Sequence, residues 1–156
     1  MFSIAIHNPN ILIELDVQIG MSHCIFCDIM HDKLQCHLIY EDDNHIAILD
    51  KYPIDLGHSL VIPKKPYEKL TDMNSNEISE LFIKIPKIVN GILKATNADA
   101  FTIAQNNGKS AKQIVPHVHV HIIPRYSSRS VEWTKRKIVK NIELNELAKK
   151  IRNCIE

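Results

Sequence analysis

Apolar and polar positions along this chain change period several times, and each change marks an element. Ile11, Ile13, Leu15, Val17 and Ile19 alternate with Leu12, Glu14, Asp16 and Gln18, a period of two that predicts a half-buried strand. Gly20-Met21 follows, so residues 1–21 are expected to be an N-terminal extension and the main domain to begin near Ser22. A short helix is expected over residues 24–31. Residues 37–41 and 45–50 then flank Asp42-Asp43-Asn44, two strand candidates joined by hairpin-turn chemistry. Gly57 precedes a third strand at residues 59–62, stopped by Pro63.

The longest helix is expected to start at Asn74, where Glu77 three positions on completes a capping-box pattern. Ile78, Leu81, Phe82, Ile85, Ile88, Val89, Ile92 and Leu93 keep helical spacing through to about residue 96. Pro86 sits inside that run and should kink it, because proline removes a backbone donor. Two more strands are expected at residues 100–104 and 117–123, separated by a polar loop, and Leu144, Leu147, Ala148, Ile151 and Ile155 predict a C-terminal helix. This order predicts an α+β fold: an antiparallel sheet of about five strands covered by one long helix, with a short N-terminal helix. The core domain would span residues 22–126, and residues 127–156 would form a basic tail ending in a helix.

At 156 residues with 45% hydrophobic content the chain suits one domain with a real core. The net charge of +1 excludes a strongly polybasic or polyacidic protein. The last 32 residues nevertheless hold nine basic and four acidic residues, against no Lys or Arg in the first 32. A solvated helix face explains that excess better than nucleic-acid binding does. No apolar stretch is long enough to span a bilayer, and the N-terminus lacks the features of a targeting signal, so a cytoplasmic protein is expected. Four cysteines are too few for a disulfide scaffold, which turns Cys24-x-x-Cys27 towards thiol or metal chemistry.

Nine histidines are many for this length, and three stand in His117-Val118-His119-Val120-His121-Ile122-Ile123. Strand geometry would put the three imidazoles on one face about 7 Å apart, with the valines turned to the core. Unpaired buried imidazoles are costly, so that face is expected to line a wet cleft. Upstream, the loop from Asn106-Asn107-Gly108 to Gln113 offers amides and backbone N–H groups suited to an anion, and His58 stands where a strand begins. Gly108-Lys109-Ser110 looks like the end of a phosphate-binding P-loop, but the glycine required five residues earlier is Ile103.

These residues resemble the histidine triad superfamily, whose signature alternates three histidines with apolar residues. Cys24-Ile25-Phe26-Cys27, Tyr40-Glu41-Asp42-Asp43, Ile48-Leu49-Asp50, residues 57–65, Gln105-Asn106-Asn107-Gly108 and residues 117–125 fall in the family's order and spacing, nearest to its Hint-like nucleoside phosphoramidase branch. The resemblance implies that His119 attacks the α-phosphorus of a purine nucleoside 5′-phosphoramidate or related conjugate. A nucleotidyl-histidine intermediate would then be hydrolysed to AMP. By the same resemblance His121 and Gln113 would contact the phosphoryl oxygens, with Asn106, Lys51 and the Ile114 N–H also at the substrate. Asp50 would take the ribose hydroxyls. Phe26, Ile25, Ile29 and Leu49 would form a purine slot, although plain core packing explains each of those four equally well. His58 would support the triad by hydrogen bonding, and His117 would support it structurally.

Three departures stand out. Lys112 occupies a place where the family often has a small residue, and Ile114 one where it often has Ser, which bears on the leaving group. Zinc-bearing relatives use the Cys-x-x-Cys pair, the first triad histidine and a later histidine whose place is Pro66 here. Cys24, Cys27 and His117 would therefore form a structural zinc site one protein ligand short, while the phosphoryl chemistry itself calls for no cofactor. The resemblance also implies a homodimer. Trp133 could reach a leaving group, although surface packing explains it better. Alternatives are a dinucleoside polyphosphate hydrolase and a non-enzymatic purine-nucleotide-binding module.

Overall fold

Local side-chain chemistry builds the first hairpin in the computed structural model, which describes residues 24–128, 130, 136 and 138–155. The Asp42 carboxylate accepts the backbone N–H groups of Asn44 at 2.9 Å and His45 at 2.8 Å, turning the chain between β1 (Leu38–Glu41) and β2 (His45–Leu49). With β3 (Ser59–Pro63), β4 (Ala100–Ala104) and β5 (Val120–Arg125) they form a five-stranded sheet in the order β1-β2-β3-β5-β4. Every neighbouring pair is antiparallel. The expected N-terminal strand and Trp133 lie outside the described residues.

The short helix α1 spans Ile25–Met30. The single long helix expected over residues 74–96 is two helices. Asn74 and Glu77 close the capping box in both directions, at 3.0 and 3.1 Å, and start α2 (Ser75–Ile83). The chain breaks at Lys84, and α3 (Ile85–Thr96) begins with Pro86 in its first turn. A proline needs no partner there, because first-turn N–H groups have none within the helix.

Strands β2 and β3 are buried on both faces. Ile46, Ile48, Leu60 and Ile62 pack with Phe26 of α1, whereas Ala47, Leu49 and Val61 pack with α2 and α3 on the other side. The chain after residue 126 does end in a helix, α4 (Asn141–Arg152), but that helix does not trail as a tail. Its Leu144, Ala148 and Ile151 are buried in the same cluster as Ile88 and Ile92. Gly91 permits the approach, since a Cβ there would stand 2.4 Å from Ile155 Cγ1. Among the described residues no helix is long and apolar enough to cross a membrane.

Candidate functional site

The histidine row sits at the entrance of β5 and partly before it. The strand expected over residues 117–123 begins only at Val120, because the Val118 N–H donates to the Tyr67 carbonyl at 2.7 Å and not to a neighbouring strand. Val118, Val120 and Ile122 are buried against the helices, as the alternation predicts. His121 pairs with Leu60 across the sheet and faces the α1 side. His119 lies against Phe26 with ring centroids 5.1 Å apart, and against His121 at 4.9 Å.

Most of these imidazoles do not line a wet face: His58 and His117 are 0% exposed and His119 is 6% exposed, whereas His121 is half-buried. Burial is tolerated because each ring is hydrogen-bonded, and the partners assign its tautomer. His119 Nδ1 donates to the His117 carbonyl at 2.7 Å, which leaves Nε2 as the lone pair. The Ile54 N–H donates to His58 Nδ1 at 3.1 Å, so the proton of His58 sits on Nε2 and is donated to His121 Nδ1 at 2.9 Å. The proton of His121 is then on Nε2. Burial pushes His119 below the usual imidazole range, with Asp50 pulling the other way. Burial, His119 and Arg136 push His121 down to about 4. Near neutral pH the row is therefore uncharged, with a nucleophilic nitrogen on one ring and a donor on the next.

Gly57 sets His58 in place. Its φ of +89° favours glycine, and a Cβ would lie 2.9 Å from Thr96 Cγ2 and 3.1 Å from Pro124 Cγ. The tight turn brings the Asp50 N–H to the His58 carbonyl at 2.8 Å. One Asp50 oxygen takes the Tyr52 N–H at 2.9 Å, and the other lies 3.4 Å from His58 Nδ1. Arg136, for which sequence reading offered no signal, completes the group. It donates to Asp50 at 3.1 Å and to the Tyr52 carbonyl at 3.1 Å.

The expected contacts are not all brought together. Phe26 is buried and Ile29 half-buried on the α1 face, and Ile25 is 46% exposed beside them. Leu49 is a correction: it packs among the helices on the opposite face, so it shares no slot with Phe26. Gln113 spends its amide within the protein, accepting from the Gly108 N–H (2.5 Å) and donating to the Glu68 carbonyl at 2.7 Å. With Asn107, which accepts the Leu70 N–H at 2.7 Å, it ties the polar loop to residues 68–70. Asn106 is half-buried in that loop, and Lys51 and Ile114 are exposed, Ile114 at 88%. A cavity of about 180 Å³ lies elsewhere, beside the start of α2, with Lys65 paired to Glu77 at 2.9 Å in its wall.

Cys24, Cys27 and His117 come together as the motif implies. His117 Nε2 donates to the Pro63 carbonyl at 2.8 Å, which turns the Nδ1 lone pair to the sulfurs of Cys24 at 3.4 Å and Cys27 at 3.7 Å. A ring held from its far nitrogen with two sulfurs at the near one fits a metal donor set. Among the described residues no fourth ligating atom joins these three, and Pro66 supplies none. Burial and Cys24 push the Cys27 thiol up to about 11.

Comparison with known proteins adds to this geometry. The HIT domain matches residues 32–128. The adenylylsulfatase HINT3 of Arabidopsis thaliana is 37% identical over 133 residues, 85% of this chain and 67% of its own. The adenosine 5′-monophosphoramidase hnt1 of Schizosaccharomyces pombe is 35% identical over 102 residues, 65% of this chain and 74% of its own. A zinc-bound histidine triad protein from Mycobacterium smegmatis superposes with a TM-score of 0.77 at 32% identity, covering 85% of this chain and 92% of that one.

Proposed function

Starting from the chain's membership of the histidine triad family, we propose that it cleaves purine nucleoside 5′-phosphoramidates, releasing AMP through a nucleotidyl-His119 intermediate. The observation that carries this reading is the hydrogen bond from His119 Nδ1 to the His117 carbonyl at 2.7 Å. It leaves Nε2 deprotonated on a buried, neutral ring beside a donor on His121, which is what attack on phosphorus requires.

In the first step His119 Nε2 forms a bond to the α-phosphorus as the bond to the departing amine breaks. His121 Nε2–H donates to the phosphoryl oxygens as charge gathers on them, and the nitrogen of the breaking P–N bond takes a proton from solvent, so that it leaves as the neutral amine. Water then attacks the same phosphorus and gives up one proton to solvent, the P–N bond to His119 breaks with its electron pair returning to Nε2, and AMP departs. Positioning and preorganised donors supply most of the acceleration. Asp50 takes the ribose hydroxyls, and Phe26, Ile29 and Ile25 offer the base an apolar wall.

Cys24, Cys27 and His117 would hold a structural zinc, which would tie α1 to the first triad residue and take no part in the step above. The reading also makes the protein a homodimer. In support, β4 ends the sheet among the described strands and leaves Phe101 43% and Ile103 41% exposed.

The decisive experiment is rapid-quench mass spectrometry with adenosine 5′-phosphoramidate, comparing wild type with His119→Ala. An AMP-sized adduct on wild type alone, with AMP release, is expected. A folded, nucleotide-binding wild type that yields neither adduct nor AMP overturns the proposal in favour of a binding module. Adenylyl sulfate, run in parallel, resolves whether the preferred leaving group is an amine or sulfate.

A further inference from the structure

We propose that Arg136 is a positioning residue that sets the direction of the His58–His121 hydrogen bond, so that His121 presents a donor and not a lone pair to the substrate. The consequence for catalysis rests on the proposed reaction, whereas the positioning itself does not.

His58 is fully buried at the junction of several charged and titratable groups. Asp50 faces it from the end of β2, His121 and His119 from the triad, Arg125 from the end of β5, and Arg136 from the segment beyond the sheet. Two groups compete for its Nδ1. The Ile54 N–H, 3.1 Å away, needs a lone pair there. The Asp50 carboxylate, 3.4 Å away, would draw a proton onto the same nitrogen.

The competition decides everything downstream, because imidazole has only two nitrogens. With the lone pair on His58 Nδ1, the proton sits on Nε2 and is donated to His121 Nδ1, and His121 keeps its own proton on Nε2. With a proton on His58 Nδ1 instead, neutral His58 accepts at Nε2. His121 must then donate from Nδ1, and its Nε2 turns a lone pair to phosphoryl oxygens that need a donor.

Arg136 tips the balance. Its guanidinium donates to the Asp50 oxygen nearest His58 at 3.1 Å and to the Tyr52 carbonyl at 3.1 Å, and the same nitrogen lies 3.4 Å from His58 Nδ1. It thereby satisfies the competing acceptor and places positive charge where a proton on His58 would have to go. Burial keeps both rings neutral, so each carries a single proton and the choice is between its two nitrogens.

The test is imidazole ¹⁵N NMR of the full chain at pH 7.5, which reports which ring nitrogen carries the proton. Wild type should show His58 and His121 protonated on Nε2. Arg136→Met should move a measurable population of both protons to Nδ1 and lower kcat at least about tenfold, since losing a donor to developing oxyanion charge costs about 10²–10³. Arg136→Lys, which keeps the charge, should retain most of the wild-type pattern. Adding Asp50→Asn to Arg136→Met should restore that pattern, because the group that draws the proton is gone. Wild-type nitrogens in Arg136→Met would overturn the inference, leaving Ile54 sufficient alone, as would an altered pattern that Asp50→Asn fails to restore. Wild-type protein with the expected nitrogens but no nucleotidyl adduct would end the proposed function and leave the role of Arg136 standing.

Discussion

Replacing Gly57 with alanine tests whether the turn that seats His58 depends on a missing side chain. Two costs can be worked from the structure. An L-residue held at φ +89° carries backbone strain of about 1–3 kcal/mol. The added Cβ also lands 2.9 Å from Thr96 Cγ2 and 3.1 Å from Pro124 Cγ. Neither neighbour yields easily, because the Thr96 hydroxyl is bonded to the Ile92 carbonyl at 2.7 Å and proline is a rigid ring. Overpacking of this kind costs about 1–3 kcal/mol. Together they place Gly57→Ala about 2–6 kcal/mol below wild type, a fall in melting temperature of roughly 4–24 °C for a chain of this size. Thr96→Ser separates the two costs because it deletes only Cγ2. In wild type it should lower the melting temperature slightly, by the loss of one half-buried methyl. In Gly57→Ala it should raise it, recovering about 1 kcal/mol of the clash and none of the strain. The assay is thermal unfolding of the four proteins followed by circular dichroism. A Gly57→Ala protein melting within a degree of wild type, or Thr96→Ser acting with the same sign in both backgrounds, would refute the reasoning.

Three further outcomes are expected. Ile151→Ala, at a fully buried position of α4, should cost about 2–5 kcal/mol in urea unfolding, whereas Ile142→Ala, 66% exposed on the same helix, should stay within about 0.5 kcal/mol; equal effects would mean that α4 does not belong to the core. His58 and His121 are held uncharged when folded but titrate near about 6.5 when unfolded. Below that pH the unfolded chain binds more protons, so stability should be full above it and fall as pH drops towards about 4, at up to about 1.4 kcal/mol per pH unit for each ring. Melting temperatures that stay level between pH 7.5 and 5 would contradict this. Metal analysis after zinc loading should find about one zinc per chain, lost in Cys27→Ser, and chelation should lower the melting temperature without abolishing the His119 adduct; zinc retained by Cys27→Ser would remove Cys24, Cys27 and His117 as the site.

How much of this was legible in the chain depends on the range of the forces involved. The Asp42 turn, the Asn74–Glu77 capping box and strand β4 involve residues within a few positions of one another, and all three lie where the pattern puts them. The three histidines and the Cys-x-x-Cys pair are likewise local signals. The break at Lys84 was half visible: Pro86 announces a disturbance, but whether a helix bends or restarts depends on what packs around it. Leu49 lies on the face opposite to the expected one because β2 is buried on both faces, so every position after His45 is apolar and alternation cannot tell one face from the other.

The local turns, caps and apolar periods, together with the residue types able to do phosphoryl chemistry, are written in the order of the amino acids, because each involves neighbours in the chain. Only the folded arrangement decided which nitrogen of each histidine carries a proton. That depends on carbonyl and N–H groups reached through space: Ile54 and Arg136 for His58, the carbonyl of Pro63 for His117. The same holds for the docking of α4, where Ile155 just beyond it needs the bare surface of Gly91, 64 positions away, and for Arg136 at Asp50, 86 positions apart. A tautomer or a close approach is set by distances of a few tenths of an ångström between distant residues, and no spacing along a chain encodes those distances.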